Sequence, residues 1–401
     1  MLRTVLGRYA LFGVLGVEAL LLPYFLSEQV YGEIEYYKFT GFLLQFMLLG
    51  ASTGYVTLFL KKTPAPDQST TRYFVTGAFL HIVLVSVVLF LLDYKLLALI
   101  GALTAFAMVV ETLLKVRRQY LLAMSFKPIL SVTVLASLPL VLHYELTATT
   151  LVLGAFLVAT LVYTSLACLS VGRAVFSEVF QLPALKCFSG KAYFKNVREG
   201  ILINASTAMT FLFFFTDRTM VRTHFNSSLA DYSLSFSIAQ LTMVAITTFS
   251  YVNIVEYGAN TASHENLKQS IALSLKSVLQ LYGAIGPITI GFSYFAESIY
   301  GYENVFETTL IMVSVLGLAN VLNSISAAHL YLGGYRGLAL LMAVSLGISV
   351  LLNSVVPLEG VWAYYLLLIK TYGLYLGFSA ISALLVWYRL RRIEASPSVE
   401  R

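Results

Sequence analysis

Long apolar blocks follow one another along almost the whole chain. Each is about 20 residues or longer, enough for a helix to cross the hydrocarbon layer of a membrane. Within hydrocarbon the backbone must satisfy its own hydrogen bonds, so such blocks form helices, and the short alternating segments of a membrane β-barrel are missing from this sequence. The pattern predicts twelve membrane-spanning helices, near residues 5–26, 36–60, 73–92, 96–114, 120–142, 147–171, 201–221, 229–255, 267–295, 306–330, 338–356 and 359–388.

The composition supports a membrane protein. Of the 401 residues, 58% are hydrophobic and only 11% are charged, too few charges to cover the surface of a water-soluble protein. The first block carries Glu18 and no A-x-A cleavage site follows it, so we expect a retained helix rather than a cleaved signal peptide. Two cysteines, Cys168 and Cys187, predict no disulfide framework.

Basic residues are distributed unevenly between the connecting segments. If the N-terminus is cytosolic, sixteen Lys and Arg residues fall in cytosolic segments, against four in outer segments, namely Lys38, Lys95, Arg218 and Arg222. Membrane proteins carry such an excess of positive charge on the cytosolic side. We therefore expect both termini in the cytosol. The net charge of +6 then reflects topology rather than binding to nucleic acid.

A polar stretch near the middle of the chain separates the blocks into two sets of six. This stretch, residues 172–200, is typical of either a helix lying on the inner membrane surface or a plain cytosolic tether. It predicts an N-terminal six-helix lobe over 1–171 and a C-terminal six-helix lobe over 201–401, which ends in a short basic cytosolic tail. A faint repeat between 30–56 and 228–253 indicates two pseudo-symmetric lobes in parallel orientation around a central cavity.

Three sequence features resemble a known transporter family. They are the turn LSEQVYGEIEYY with Tyr31-Gly32, the pair Asp217-Arg218 that closes the seventh block, and the turn FNSSLADYSLSFSIAQL with Tyr232-Ser233. In these features the chain resembles the Wzx-type polysaccharide flippases of the multidrug/oligosaccharidyl-lipid/polysaccharide (MOP) exporter superfamily. The resemblance implies an all-α, MATE-like membrane fold of two six-helix lobes, and a transporter rather than an enzyme.

The resemblance also implies a substrate and a setting. The substrate is a polyprenyl-diphosphate-linked oligosaccharide, moved from the inner to the outer leaflet of the bacterial inner membrane for O-antigen, capsule or exopolysaccharide synthesis. The implied partners are this lipid, the surrounding membrane lipids, a polysaccharide polymerase and the chain-length machinery. The sequence contains no Walker-type phosphate loop and no metal-ligand spacing among its histidines, so we expect no cofactor, no metal, and transport driven by gradients.

Several ionised side chains fall within or at the ends of the apolar blocks. A charge in hydrocarbon normally faces a wet cavity or a partner. Arg218 and Arg222 share one helical face, and a guanidinium group can donate hydrogen bonds to two phosphate oxygens at once. The carboxylates Glu18 and Asp217 are candidates for coupling to a proton or cation. We predict a translocation pathway lined by Glu18, Asp217, Arg218, Arg222, Lys276 and Lys370.

Simpler structural roles remain open for some of these residues. Glu18 could pair with Arg8 or a neighbouring hydroxyl, and Lys276 could extend its stem to the headgroups. Asp217-Arg218 could fix its helix to neighbouring helices. Glu111 and Lys115, spaced i,i+4, predict a local ion pair.

Two other functions also fit a chain of this kind. A cation or drug antiporter of the same superfamily would need buried acids for cationic cargo, whereas the deep acids and bases are about balanced here. A membrane-embedded polysaccharide polymerase should have a large arginine-bearing outer loop, and the outer loops are short.

Overall fold

The computed structural model describes residues 2–60, 68–144, 146–171, 189–259, 264–330, 332, 335–355 and 361–395. Within these ranges every regular element is a helix, which confirms the predicted all-α fold class. The chain divides into two compact units, Met1–Phe211 and Leu212–Arg401, called unit 1 and unit 2 below.

Unit 1 holds seven helices and the first part of an eighth within its described residues. The long apolar segments fold as helices because only intrahelical hydrogen bonds satisfy their backbone in hydrocarbon. The helices are α1 Leu2–Phe25, α2 Glu28–Leu43, α3 Ala51–Leu60, α4 Gln68–Leu91, α5 Lys95–Val116, α6 Phe126–Tyr144, α7 Ala148–Val171 and α8 Gly190–His224, with short helical turns at Leu44–Leu48 and Tyr120–Ala123.

The second predicted block, residues 36–60, is not one continuous helix. The chain leaves α2, passes through the 3-10 turn Leu44–Leu48 and adopts positive φ at Leu49 (48°) and Gly50 (85°) before α3 begins. A Cβ on Gly50 would lie 2.7 Å from the backbone of Gly200 in α8, and one on Gly54 would overlap the backbone carbonyl of Asn196. Glycine is therefore required for these two helices to cross in backbone contact.

The start of α8 belongs to the core of unit 1. Tyr193 is buried in a cluster with Tyr55 of α3 and Phe74 of α4, whose rings stack with centroids 4.4 Å apart. The Tyr193 hydroxyl is 2.8 Å from Nδ1 of His81. Residues 190–200, assigned from sequence to the segment between the lobes, are thus helical and packed; residues 172–188 lie outside the described part of the chain.

The described residues of unit 2 contain the end of α8 and five further helices. They are α9 Leu229–Ala259, α10 His264–Tyr300, α11 Val305–Asn323, α12 Tyr335–Asn353 and α13 Val361–Ala395. A π-helical turn at Met312–Gly317 interrupts α11, and the Val313 carbonyl accepts a hydrogen bond from the Tyr282 hydroxyl at 3.1 Å.

Eight of the described helical segments are long and apolar enough to cross a membrane. Large hydrophobic side chains cover their outer faces: Leu169 is 81% exposed and Trp362 is 86% exposed. Such surfaces are unfavourable in water and match contact with lipid. The chain is therefore a multi-pass membrane protein; the predicted twelve crossings and their orientation stay a prediction. The eight segments are Thr71–Leu91, Lys95–Val116, Phe126–Tyr144, Ala148–Ser170, Glu265–Tyr300, Val305–Asn323, Arg336–Asn353 and Trp362–Arg392.

Candidate functional site

Glu18 lies at the centre of a buried polar cluster in unit 1. Only 2% of the residue is exposed. Its Oε1 accepts a hydrogen bond from Nζ of Lys38 in α2 at 2.6 Å, and its Oε2 accepts one from the Ser131 hydroxyl in α6 at 2.6 Å. Lys38 also donates to Oε1 of Glu35 at 2.7 Å. The cluster therefore connects three helices through one carboxylate.

Lys38, which the sequence analysis counted with the outer connecting segments, lies in a helix rather than in a loop. The structure buries it within α2, with 7% exposed. A lysine at this depth requires an anion, and both Glu18 and Glu35 supply one. The spacing of Glu35 and Lys38, i and i+3 on one helix, was a usable signal. Of the partners expected for Glu18, a hydroxyl is present, while the side chain of Arg8 lies outside the described residues.

A second buried cluster surrounds Asp217 in unit 2. Asp217 is 1% exposed and Arg218 is 3% exposed. Oδ1 of Asp217 accepts a hydrogen bond from the Thr371 hydroxyl of α13 at 2.9 Å. The positive charge of Lys370, the residue before Thr371, also acts on this carboxylate. The end of α8 is thereby joined to the middle of α13.

Aromatic rings enclose the guanidinium group of Arg218. Its central carbon is 4.5 Å from the ring centroid of Phe236 and 5.4 Å from that of Tyr232, within the range of cation–π attraction. The Tyr232 hydroxyl in turn accepts a hydrogen bond from the Tyr372 hydroxyl at 3.2 Å. Arg218 is thus packed on α9 rather than exposed at a surface.

The remaining predicted residues lie apart from this cluster or at its edge. Lys370 is half-buried and donates a hydrogen bond to Oδ1 of Asn353 in α12. Arg222 lies one turn beyond Arg218 and is half-buried, whereas Lys276 is exposed on α10. The structure thus brings together Asp217, Arg218 and Lys370. Whether any of the six predicted residues lines a pathway stays a prediction.

Lys127 is a residue that sequence reasoning missed. It stands in the first turn of α6, and its Nζ is 4.5 Å from the ring centroid of Phe42 and 6.0 Å from that of Phe211. Within the described part of the chain it has no ion-pair or hydrogen-bond partner. A charged side chain within hydrocarbon normally faces a cavity or a charged partner, and a cation–π contact contributes only about 0.5–2 kcal/mol. The rings alone are therefore weak partners for this charge.

The described residues contain no group of three or more His, Cys, Asp or Glu side chains that could hold a metal ion. The predicted local pair is present and confirmed: Lys115 Nζ lies 2.5 Å from Oε1 of Glu111. Lys38, Lys127 and the residues around Asp217 are among the charged residues that lie buried or beside aromatic rings.

No family model matches the sequence, and no curated protein matches it either. Solved structures do match. The chain is similar to a multidrug resistance MATE family transporter of the MOP superfamily in its inward-facing conformation, with 13% identity, a TM-score of 0.72, and coverage of 98% of this chain and 100% of the other. The outward-facing conformation of such a transporter matches with 13% identity, a TM-score of 0.66, and coverage of 98% and 96%.

A third match is a MOP superfamily transporter from Pyrococcus furiosus, for which reverse polarity of the binding pocket suggests a different function. It has 13% identity, a TM-score of 0.60, and coverage of 98% of this chain and 95% of the other. At this identity the similarity establishes the fold. The chain therefore has a MATE-like fold, as the resemblance in sequence implied.

Proposed function

We propose that this protein is a secondary transporter that moves a polyprenyl-diphosphate-linked oligosaccharide from the inner to the outer leaflet of a bacterial cytoplasmic membrane. The fold supports a transporter, because it matches MOP transporters over 98% of the chain. The diphosphate and sugars cannot cross hydrocarbon unaided, so the protein would shield them while the polyprenyl tail stays in lipid. Alternating access of the two lobes would expose the binding site first to one side of the membrane and then to the other.

The engagement of Glu18 is the observation that favours an anionic cargo. A transporter of cationic drugs needs a buried carboxylate free to receive its cargo. In unit 1 both oxygens of Glu18 are instead occupied, by Lys38 and Ser131 at 2.6 Å each. Lys127, by contrast, is a partly exposed cation beside aromatic rings. The occupied Glu18 and the accessible Lys127 therefore suit an anion better than a cation.

A cation or drug antiporter is the second candidate. Asp217 favours it, because this carboxylate is buried and its Oδ1 accepts a hydrogen bond from a neutral hydroxyl, that of Thr371. The similar solved structures also include multidrug transporters. In the flippase, the same carboxylate would instead carry the coupling proton or cation.

Reconstitution into liposomes separates the two candidates. The purified protein should accelerate the transbilayer movement of a fluorescent polyprenyl-diphosphate oligosaccharide, detected by the fraction accessible to an added lectin. Protein-free liposomes and heat-denatured protein give the background rate. Ethidium uptake driven by a proton or sodium gradient, without movement of the lipid-linked sugar, would establish the antiporter and refute the flippase.

A further inference from the structure

Lys127 stands on an open aromatic face of unit 1. The rings of Phe42 and Phe211 lie beside its ammonium group. Phe39 stacks on Phe211 with centroids 5.9 Å apart, and Phe46 meets Phe211 at 5.2 Å. All four rings and Lys127 are partly exposed, so they form a surface rather than a sealed core. This set is called the Lys127 face below.

The anions near the Lys127 face are already occupied. Glu111 is the carboxylate whose charge acts on Lys127, and it forms an ion pair with Lys115 at 2.5 Å. One turn further along α6, Glu18 is held by Lys38 and by Ser131, which is four residues after Lys127. Within the described residues Lys127 thus has aromatic rings beside it but no carboxylate in ion-pair contact.

We propose that the Lys127 face binds the phosphate of a lipid-attached headgroup, with Lys127 Nζ as the donor to the phosphate oxygens and the Phe42 and Phe211 rings against the adjoining apolar or sugar portion. A lysine ammonium binds phosphate as a compact point charge. Aromatic side chains present flat apolar area at low entropic cost. The inference rests on the proposed function and gives it a specific residue; the phosphate could come from a polyprenyl diphosphate or from an ordinary anionic phospholipid.

Removal of the Lys127 charge should weaken ligand binding but raise the unfolding temperature, so the two roles can be told apart. The full chain, in dodecyl maltoside, is titrated with farnesyl diphosphate, with dioctanoyl phosphatidylglycerol and with neutral farnesol while its unfolding temperature is followed. Lys127→Met should unfold at a higher temperature without ligand, because it removes an uncompensated charge from an apolar setting. It should also bind farnesyl diphosphate at least about tenfold more weakly, as expected for the loss of one charged hydrogen bond.

Two variants control for folding and for total charge. Lys127→Arg keeps the cation and should retain binding, and Lys127→Gln repeats the test if the methionine variant does not yield folded protein. Lys95→Met removes an exposed lysine that pairs with Asp93 at 3.0 Å, and its affinity for farnesyl diphosphate should equal that of the unmodified chain. Farnesol should not stabilise any of these proteins.

The results assign the source of the phosphate and can overturn the site. Tighter binding of farnesyl diphosphate than of phosphatidylglycerol identifies a lipid diphosphate, and equal binding identifies bulk phospholipid. Undiminished binding by Lys127→Met and Lys127→Gln refutes the site. If the unmodified chain binds but moves no lipid-linked sugar, the proposed function fails and the site stands. If Lys127→Met moves sugar at the normal rate, the Lys127 face does not bind the transported lipid, and the proposed function stands.

Discussion

At the scale of single residues, one lysine forms ion pairs with two carboxylates. Lys38 lies between Glu18 and Glu35, 2.6 Å and 2.7 Å from their oxygens. Both ion pairs are largely shielded from water, so the loss of one partner leaves charge without compensation. Buried pairs of this kind are expensive to break, even where their net contribution to stability is small.

Substitutions in this cluster should therefore have unequal effects. Lys38→Met should lower the free energy of unfolding by about 3–5 kcal/mol, because two carboxylates lose their shared cation. Glu18→Gln should cost less, about 1–3 kcal/mol, because Lys38 keeps Glu35 and the amide still accepts hydrogen bonds. Thermal unfolding of the two purified variants measures the difference.

The double variant Lys38→Met/Glu18→Gln completes a thermodynamic cycle for this pair. It should recover part of the loss caused by Lys38→Met, because one of the two stranded carboxylates is gone. If Lys38→Met proves as stable as Glu18→Gln, Lys38 does not hold this cluster together.

At the scale of elements, the crossing of α3 and α8 depends on missing side chains. Gly50, Gly54 and Gly200 bring two backbones into direct contact. Small residues at helix crossings are the usual means of close packing in membranes, where burial from water provides no driving force between helices. The contact places the start of α8 against α3 and explains why the helix begins within the core of unit 1.

Gly54→Ala should destabilise the protein by about 1–3 kcal/mol or more, because the new methyl group would overlap a backbone carbonyl that cannot rotate away. The matched control is Gly154→Ala in α7, where nothing lies within 4 Å of the added Cβ. Alanine is the better helix former by about 1 kcal/mol, so the control should be unchanged or slightly more stable. The unfolding temperatures of both variants in detergent measure the effect, and equal values would contradict the proposed close crossing.

At the scale of the whole molecule, the proposed transport has an electrical consequence. Outward movement of an anion is favoured by an inside-negative potential, by about 2.3 kcal/mol per charge per 100 mV, or roughly 50-fold in the equilibrium distribution. Residues that neutralise the cargo during passage would reduce this dependence.

Liposomes with a potassium diffusion potential test this consequence. A potential that is negative on the cargo side should shift the lipid-linked oligosaccharide toward the opposite leaflet, and reversal of the potential should shift it back. Valinomycin with equal potassium on both sides serves as the control. A distribution independent of potential would mean that the translocated species carries no net charge.

The sequence alone determined the class of this protein. Runs of about 20 apolar residues leave the backbone no alternative to helices in a membrane, and the structure is all helical in its described residues. Contacts within one helix were also predictable: Glu111 and Lys115 are four residues apart, and helix geometry brings such residues together.

The tertiary structure decided the charged sites. Glu18 is paired with a residue 20 positions away and with another 113 positions away, and the rings beside Lys127 come from α2 and α8. No local spacing encodes such meetings, because they depend on the register in which separate helices pack. The break between α2 and α3 escaped the hydropathy pattern for the same reason. Gly50 and Gly54 leave room for the backbone of α8 around Gly200, which is 150 residues further along the chain than Gly50.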